Sequence, residues 1–156
     1  KYAGDLFISI HADSTRNKNT KGISIYSLSD KASDKLAKEL AAKQNKSDLI
    51  GGLDLDDIDE EVSNILIDLS RRETKNSSIE FAELFVLELN RNRLKLLRRP
   101  HRQAGFAVLK APDIPSVLIE MGFISNNSDL QKLLDKNYLK NLMGQVSLVV
   151  LKYFSN

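Results

Sequence analysis

Two side chains of this chain stand where apolar runs stop abruptly, and both are of types that do chemistry. The run Leu6-Phe7-Ile8-Ser9-Ile10 ends in His11-Ala12-Asp13. An imidazole in that place serves as a metal ligand, as a general base, or as a satisfied structural histidine. Late in the chain, Ser116-Val117-Leu118-Ile119 ends in Glu120. A carboxylate closing a buried run is costly unless it is hydrogen-bonded, bound to a metal or used in catalysis. A buried ion pair with Arg98, Arg99 or Arg102 would satisfy Glu120 as well. Asp13, two residues after His11, suits the ordering of a loop, because aspartate side chains hydrogen-bond nearby backbone groups. His101, the other histidine, follows Pro100 in a basic stretch and reads as a surface residue.

Both runs have the length and the β-branched and aromatic content of buried strands in an α/β sheet. Open α/β sheets gather ligands and chemistry at the C-terminal ends of their strands, where departing loops leave a crevice. The intervening chain supplies the remaining elements. Ser14 to Lys21 is a polar loop, and Gly22-Ile23-Ser24-Ile25-Tyr26-Ser27 alternates as a strand does. Ser29-Asp30 offers an N-cap for a helix running to about Asn45, with Ala32, Leu36, Ala37, Leu40 and Ala41 as its apolar stripe. Leu49-Ile50-Gly51-Gly52 breaks that helix. An acidic block at 54–61 then opens another, whose Ile58, Val62, Ile65, Leu66 and Leu69 recur at helical spacing. Acids at a helix start suit the positive end of its dipole. By itself this is an ordinary amphipathic helix packed on a sheet. Asn76-Ser77-Ser78 predicts the cap of a further helix through Leu89, and Gly105 to Leu109 a short strand. Asn126-Asn127-Ser128 caps a short helix, and Tyr138 to Tyr153 carries the apolar spacing of a last one.

At 156 residues and 42% hydrophobic, the chain supports one domain with a sizeable core. The net charge of +2 gives no electrostatic case for a nucleic-acid partner. The cationic run Arg91, Arg93, Lys95, Arg98, Arg99, Arg102 reads as solvated surface, with contact to an anionic polymer as the sharper alternative. There is no cysteine, so disulfides and thiolate metal sites are excluded. No apolar run is long enough to cross a bilayer. Lys1-Tyr2-Ala3-Gly4 reads as the middle of a domain, so a missing export signal says little.

Taken together, "SIHAD" and "PSVLIEMGFISN", with "FAVLKAP" ahead of the second, resemble the zinc-dependent N-acetylmuramoyl-L-alanine amidases of bacterial cell walls. The resemblance covers nearly the whole chain. It implies one α/β domain with a mostly parallel twisted sheet flanked by helices. It assigns His11 to the Zn2+ ion and Glu120 to catalysis, on the amide between N-acetylmuramic acid and the L-alanine of the peptidoglycan stem peptide. Two further zinc ligands, a histidine of a "GHGG" loop and a glutamate, would lie upstream of Lys1. Residues 1–156 would then be an N-terminally incomplete catalytic domain. "NKSDLIGGLDL" and "ILIDLSRRET" resemble the cell-separation subgroup, in which an inserted helical regulatory segment, here about 47–77, blocks the site until an activator protein withdraws it. Glu61, lying nearer the apolar stripe than Glu60, is the expected inhibitory contact to the metal. The resemblance further implies a periplasmic or otherwise exported enzyme. The alternative is a catalytically silent domain that binds peptidoglycan or a division protein.

Overall fold

The computed structural model describes residues 4–50, 65–111 and 113–155. Its centre is a four-stranded sheet of β1 (Phe7–His11), β2 (Ile23–Leu28), β3 (Leu96–Ala104) and β4 (Ser116–Glu120), in the order β1-β4-β2-β3. β1 runs parallel to β4 and β2 parallel to β3, while β2 and β4 are antiparallel. The expected α/β sheet is therefore present as a mixed one, with two of its three pairings parallel.

Side-chain alternation sorts the core into two layers. Ile23 and Ile25 of β2, with Val117 and Ile119 of β4, face α2 (Ile65–Arg91) and α4 (Lys136–Ser155). Tyr26 and Leu118 face the opposite way, toward α1 (Lys35–Ile50) and a 3-10 turn at Ala107–Leu109. β4 is buried along its whole length because both faces are covered. From α2, Phe81, Phe85 and Leu89 recur every fourth residue and are fully buried. Each such side chain contributes about 1.5–3 kcal/mol of transfer free energy.

Several local expectations are corrected by this packing. Among the described residues β1 lies at the edge of the sheet, with Phe7 39% and Ile10 45% exposed, rather than as a strand buried on both faces. The helix expected after Ser29-Asp30 begins at Lys35, because Asp34 supplies the cap by accepting from the Ala37 N–H at 2.9 Å. α1 also runs on to Ile50. No new helix starts at Asn76–Ser78. The Ser78 hydroxyl donates to the Thr74 carbonyl one turn back, so α2 passes through without a break. The strand expected at Gly105–Leu109 lies upstream instead, within the basic stretch, where an edge position lets Arg98 and Arg99 reach water. Residues 51–64, including Glu61 and the acidic block, lie outside the described residues. α3 (Asn127–Leu134) is capped as expected, with the Asn126 side chain accepting from the N–H groups of Ser128 and Asp129.

Candidate active site

Strand register brings the two chemically suggestive residues together. His11 and Glu120 are direct partners at the C-terminal ends of the parallel pair β1 and β4. Parallel neighbours in register point to the same face, which they share with Ser9 and Leu118.

The loops leaving the two strands are bonded to each other. The Met121 N–H donates to the His11 carbonyl at 2.9 Å, and the Ile124 N–H to the Asp13 carbonyl at 2.9 Å. Further out, the Thr15 N–H donates to the Ser125 hydroxyl at 3.0 Å and the Asn126 amide to the Lys18 carbonyl at 2.7 Å. Beneath them, the buried Asp129 carboxylate accepts from the Gly22 N–H at 2.7 Å and the Phe123 N–H at 3.1 Å. Gly22 is required where it stands. Its φ is +105°, and a Cβ there would lie 2.6 Å from the backbone of Leu96. The site thus rests on a backbone frame tied at several points.

Within this frame the Asp13 N–H donates to Glu120 Oε2 at 3.0 Å. The Asp13 carboxylate forms an ion pair with Lys43 of α1, which also donates to the Ser14 hydroxyl at 3.0 Å. Ser9 Oγ lies 2.6 Å from His11 Nε2 and fixes the ring. One donor atom from each of His11, Asp13 and Glu120 lies within 4.8 Å of the others, so the group could hold a metal ion. One nitrogen and two carboxylate oxygens are a donor set that zinc accepts, and these residues fit the ion the resemblance implies.

Electrostatics set Glu120 apart. It is 1% exposed, and burial pushes its carboxyl up to about 8, opposed by the hydrogen bond from the Asp13 backbone and by Lys43, and helped by the Asp13 charge. No arginine satisfies it. The buried Arg102 pairs with Asp34 at 2.7 Å, so the ion pair considered for Glu120 goes elsewhere. Nor is His101 a plain surface residue. It is half-buried, its Nε2 lies 2.9 Å from the Ser27 hydroxyl, and burial lowers its pKa.

Asp13 therefore orders the loop, as its sequence position suggested, and also stands among the donors. Its place two residues after His11 was the available signal. Lys43 lies in the middle of a helix, and nothing in its neighbours' types marked it.

AmiC of Escherichia coli O6:H1, an N-acetylmuramoyl-L-alanine amidase, is 38% identical over all of this chain, which covers 37% of that protein. AmiA of Escherichia coli K12 is 34% identical over 99% of the chain and 53% of the relative. The chain thus spans about a third to a half of the length of these relatives. Among solved structures, the amidase Ami1 from Mycobacterium smegmatis matches with a TM-score of 0.63 at 13% identity, over 97% of this chain and 54% of that one. The CwlD amidase of Clostridioides difficile, solved in complex with the GerS lipoprotein, matches with a TM-score of 0.59 at 20% identity, over 97% and 55%. At such identities the structural matches speak for the fold. The family model described as N-acetylmuramoyl-L-alanine amidase matches residues 1–152, and with relatives above 30% identity this establishes that the chain belongs to the N-acetylmuramoyl-L-alanine amidase family.

Proposed function

We propose that the protein hydrolyses the amide between the lactyl group of N-acetylmuramic acid and the L-alanine of the peptidoglycan stem peptide. The observation that carries this reading is the pairing of His11 with Glu120 at adjacent strand ends, in a chain matched to the amidase family over residues 1–152.

In this reading His11 would be one of the residues that hold Zn2+, with the Asp13 carboxylate within reach of the same place. When bound, the ion supplies Lewis-acid polarisation of the amide carbonyl and a water of lowered pKa. Glu120 is the general base. Its carboxylate, oriented by the Asp13 N–H, takes a proton as water adds to the carbonyl carbon. It then passes that proton to the departing L-alanine nitrogen as the C–N bond breaks, leaving a lactyl carboxylic acid and a free amine. A base whose pKa lies near the operating pH suits both transfers. Ser9 fixes the His11 ring, and Lys43 holds the 12–15 loop through Asp13 and Ser14, so the Asp13 N–H stays aimed at Glu120.

We further propose the regulation that the subgroup resemblance implies. Residues 47–50 and 65–77 of the expected segment belong to α1 and α2; in this reading the stretch between them covers the site, Glu61 contacts the metal, and an activator protein withdraws it. The place of action is the periplasm or another exported compartment. No helix among the described residues is long and apolar enough to cross a membrane.

The test is product analysis. The zinc-loaded full-length protein, with the activator or with the segment deleted, should release peptides bearing a free N-terminal L-alanine from purified peptidoglycan, leaving glycan strands with free lactyl acids. Release of any other fragment pair would replace this reading with another hydrolase.

A further inference from the structure

The basic edge strand carries a feature that the amide chemistry does not use. Between Ile23 and Ile25, β2 advances two residues while its partner β3 advances five, from Leu96 to His101. The surplus of three loops out at Arg98, Arg99 and Pro100. Arg99 sits at a φ of +55°, a left-handed conformation that non-glycine side chains avoid.

This bulge is held by a buried cation. Arg102, 8% exposed, donates to the carbonyls of Arg98 and Arg99, and its Nε donates to Asp34 Oδ2 at 2.7 Å. The other Asp34 oxygen caps α1 through the Ala37 N–H. Asp34 and Arg102 therefore satisfy each other, and their charges cancel. The arrangement leaves Arg98 and Arg99 displayed on an exposed shelf, along with Lys95 and Lys21 across an open cleft of about 730 Å³. Among the described residues, none of these four cations has an ion-pair partner within 4.0 Å. An unfavourable backbone turn braced by a buried guanidinium and presenting two exposed arginines suits the capture of an anion.

The cleft lies beside the loop that follows Asp13. It is bounded by Asn17 to Lys21 of the loop that follows Asp13, and by Leu36 of α1. A second cleft, of about 380 Å³, is bounded by Ser14 to Arg16 of the same loop, by the same Leu36, and by Lys43. Lys43 in turn is bonded to Asp13, whose N–H holds Glu120.

We propose that the cleft beneath Arg98 and Arg99 is a carboxylate subsite, which seats a free acid of the stem peptide. This rests on the amidase reading for the peptide's identity, while the anion preference stands on the cleft itself. Bidentate guanidinium pairing favours the planar carboxylate, and Lys21 and Lys95 add unselective attraction.

The probes are a synthetic stem tripeptide ending in a free acid and the same tripeptide ending in an amide, titrated into the zinc-loaded full-length protein carrying Glu120→Gln and lacking residues 51–72, so that neither turnover nor the covering segment intrudes. Arg98→Gln combined with Arg99→Asn removes both guanidinium groups, and asparagine tolerates the left-handed backbone at 99. The acid should bind at least tenfold more tightly than the amide, and the double variant should lose that preference. Lys136→Gln with Lys140→Gln, on α4, should keep it. Should the double variant not fold, Lys21→Gln with Lys95→Gln is titrated instead and should weaken acid binding several-fold. Equal binding of acid and amide, an unchanged preference in the double variant, or equal competition by inorganic phosphate at the concentration of the acid would overturn the subsite. In the otherwise unsubstituted enzyme the double variant should raise KM and leave kcat. Acid-selective binding together with no hydrolysis would instead count against the amidase reading and leave the subsite standing.

Discussion

Replacing Glu120 with glutamine is expected to stabilise the metal-free protein, by an amount that grows with pH. Burial raises the carboxyl from 4.5 to about 8, so between those values the folded state binds a proton that the unfolded state has released. Stability of the unsubstituted protein must therefore fall as pH rises through that window, and level off above it. Each unit corresponds to about 1.4 kcal/mol. Taking up this proton on folding thus costs under about 1 kcal/mol at pH 5 and about 3 kcal/mol at pH 7. Glutamine keeps an acceptor for the Asp13 N–H, carries no charge and has nearly the same shape, so it lifts this penalty with little else changed. For a chain of this length the gain at pH 7 amounts to roughly 6–12 °C in Tm. The assay is thermal unfolding of chelator-treated protein and of Glu120→Gln from pH 5 to 8.5. The difference between them should widen with pH. Parallel curves would mean that Glu120 is not desolvated as the packing of β4 requires.

Other expectations follow from the same contacts. Asp129→Ala removes the acceptor of two buried N–H groups and should cost about 3 kcal/mol in urea unfolding, since each orphaned donor carries a desolvation penalty. His11→Ala should lower zinc affinity by more than the ~10–100-fold that loss of an outer-shell partner costs, measured by competition with a chromophoric chelator. Deleting residues 51–72 from the full-length protein should raise basal turnover. A folded, zinc-loaded deletion variant with unchanged or lower turnover would count against inhibition by that segment.

How much of this was legible in the sequence depended on whether a signal was local. The strands ending in His11 and Glu120 stood out because an apolar run broken by one polar residue is a short-range pattern, and their roles were suggested by the family resemblance. That they are neighbours in register is a long-range fact, which only the sheet order β1-β4-β2-β3 supplies. The strand at Leu96–Ala104 was hidden because arginines and Pro100 interrupt its alternation, and the bulge absorbs the interruption. Serines mislead at both helix starts. Ser29-Asp30 and Asn76–Ser78 carry cap chemistry, yet Asp34 makes the first cap, and Ser78 bonds back into an unbroken helix. Lys43 and the guanidinium of Arg102 act across distances of 30 and 68 residues, beyond any spacing rule.

Turnover on purified peptidoglycan by the zinc-loaded full-length protein, with the activator present or residues 51–72 deleted, measured beside Glu120→Gln in the same form with zinc quantified in both, tests the site most directly. The unsubstituted protein should release stem peptides, and the variant should retain its zinc while losing about 10²–10⁴-fold in rate, the usual worth of a positioned general base. A variant that keeps its zinc and the full rate would remove Glu120 from the mechanism and contradict the account.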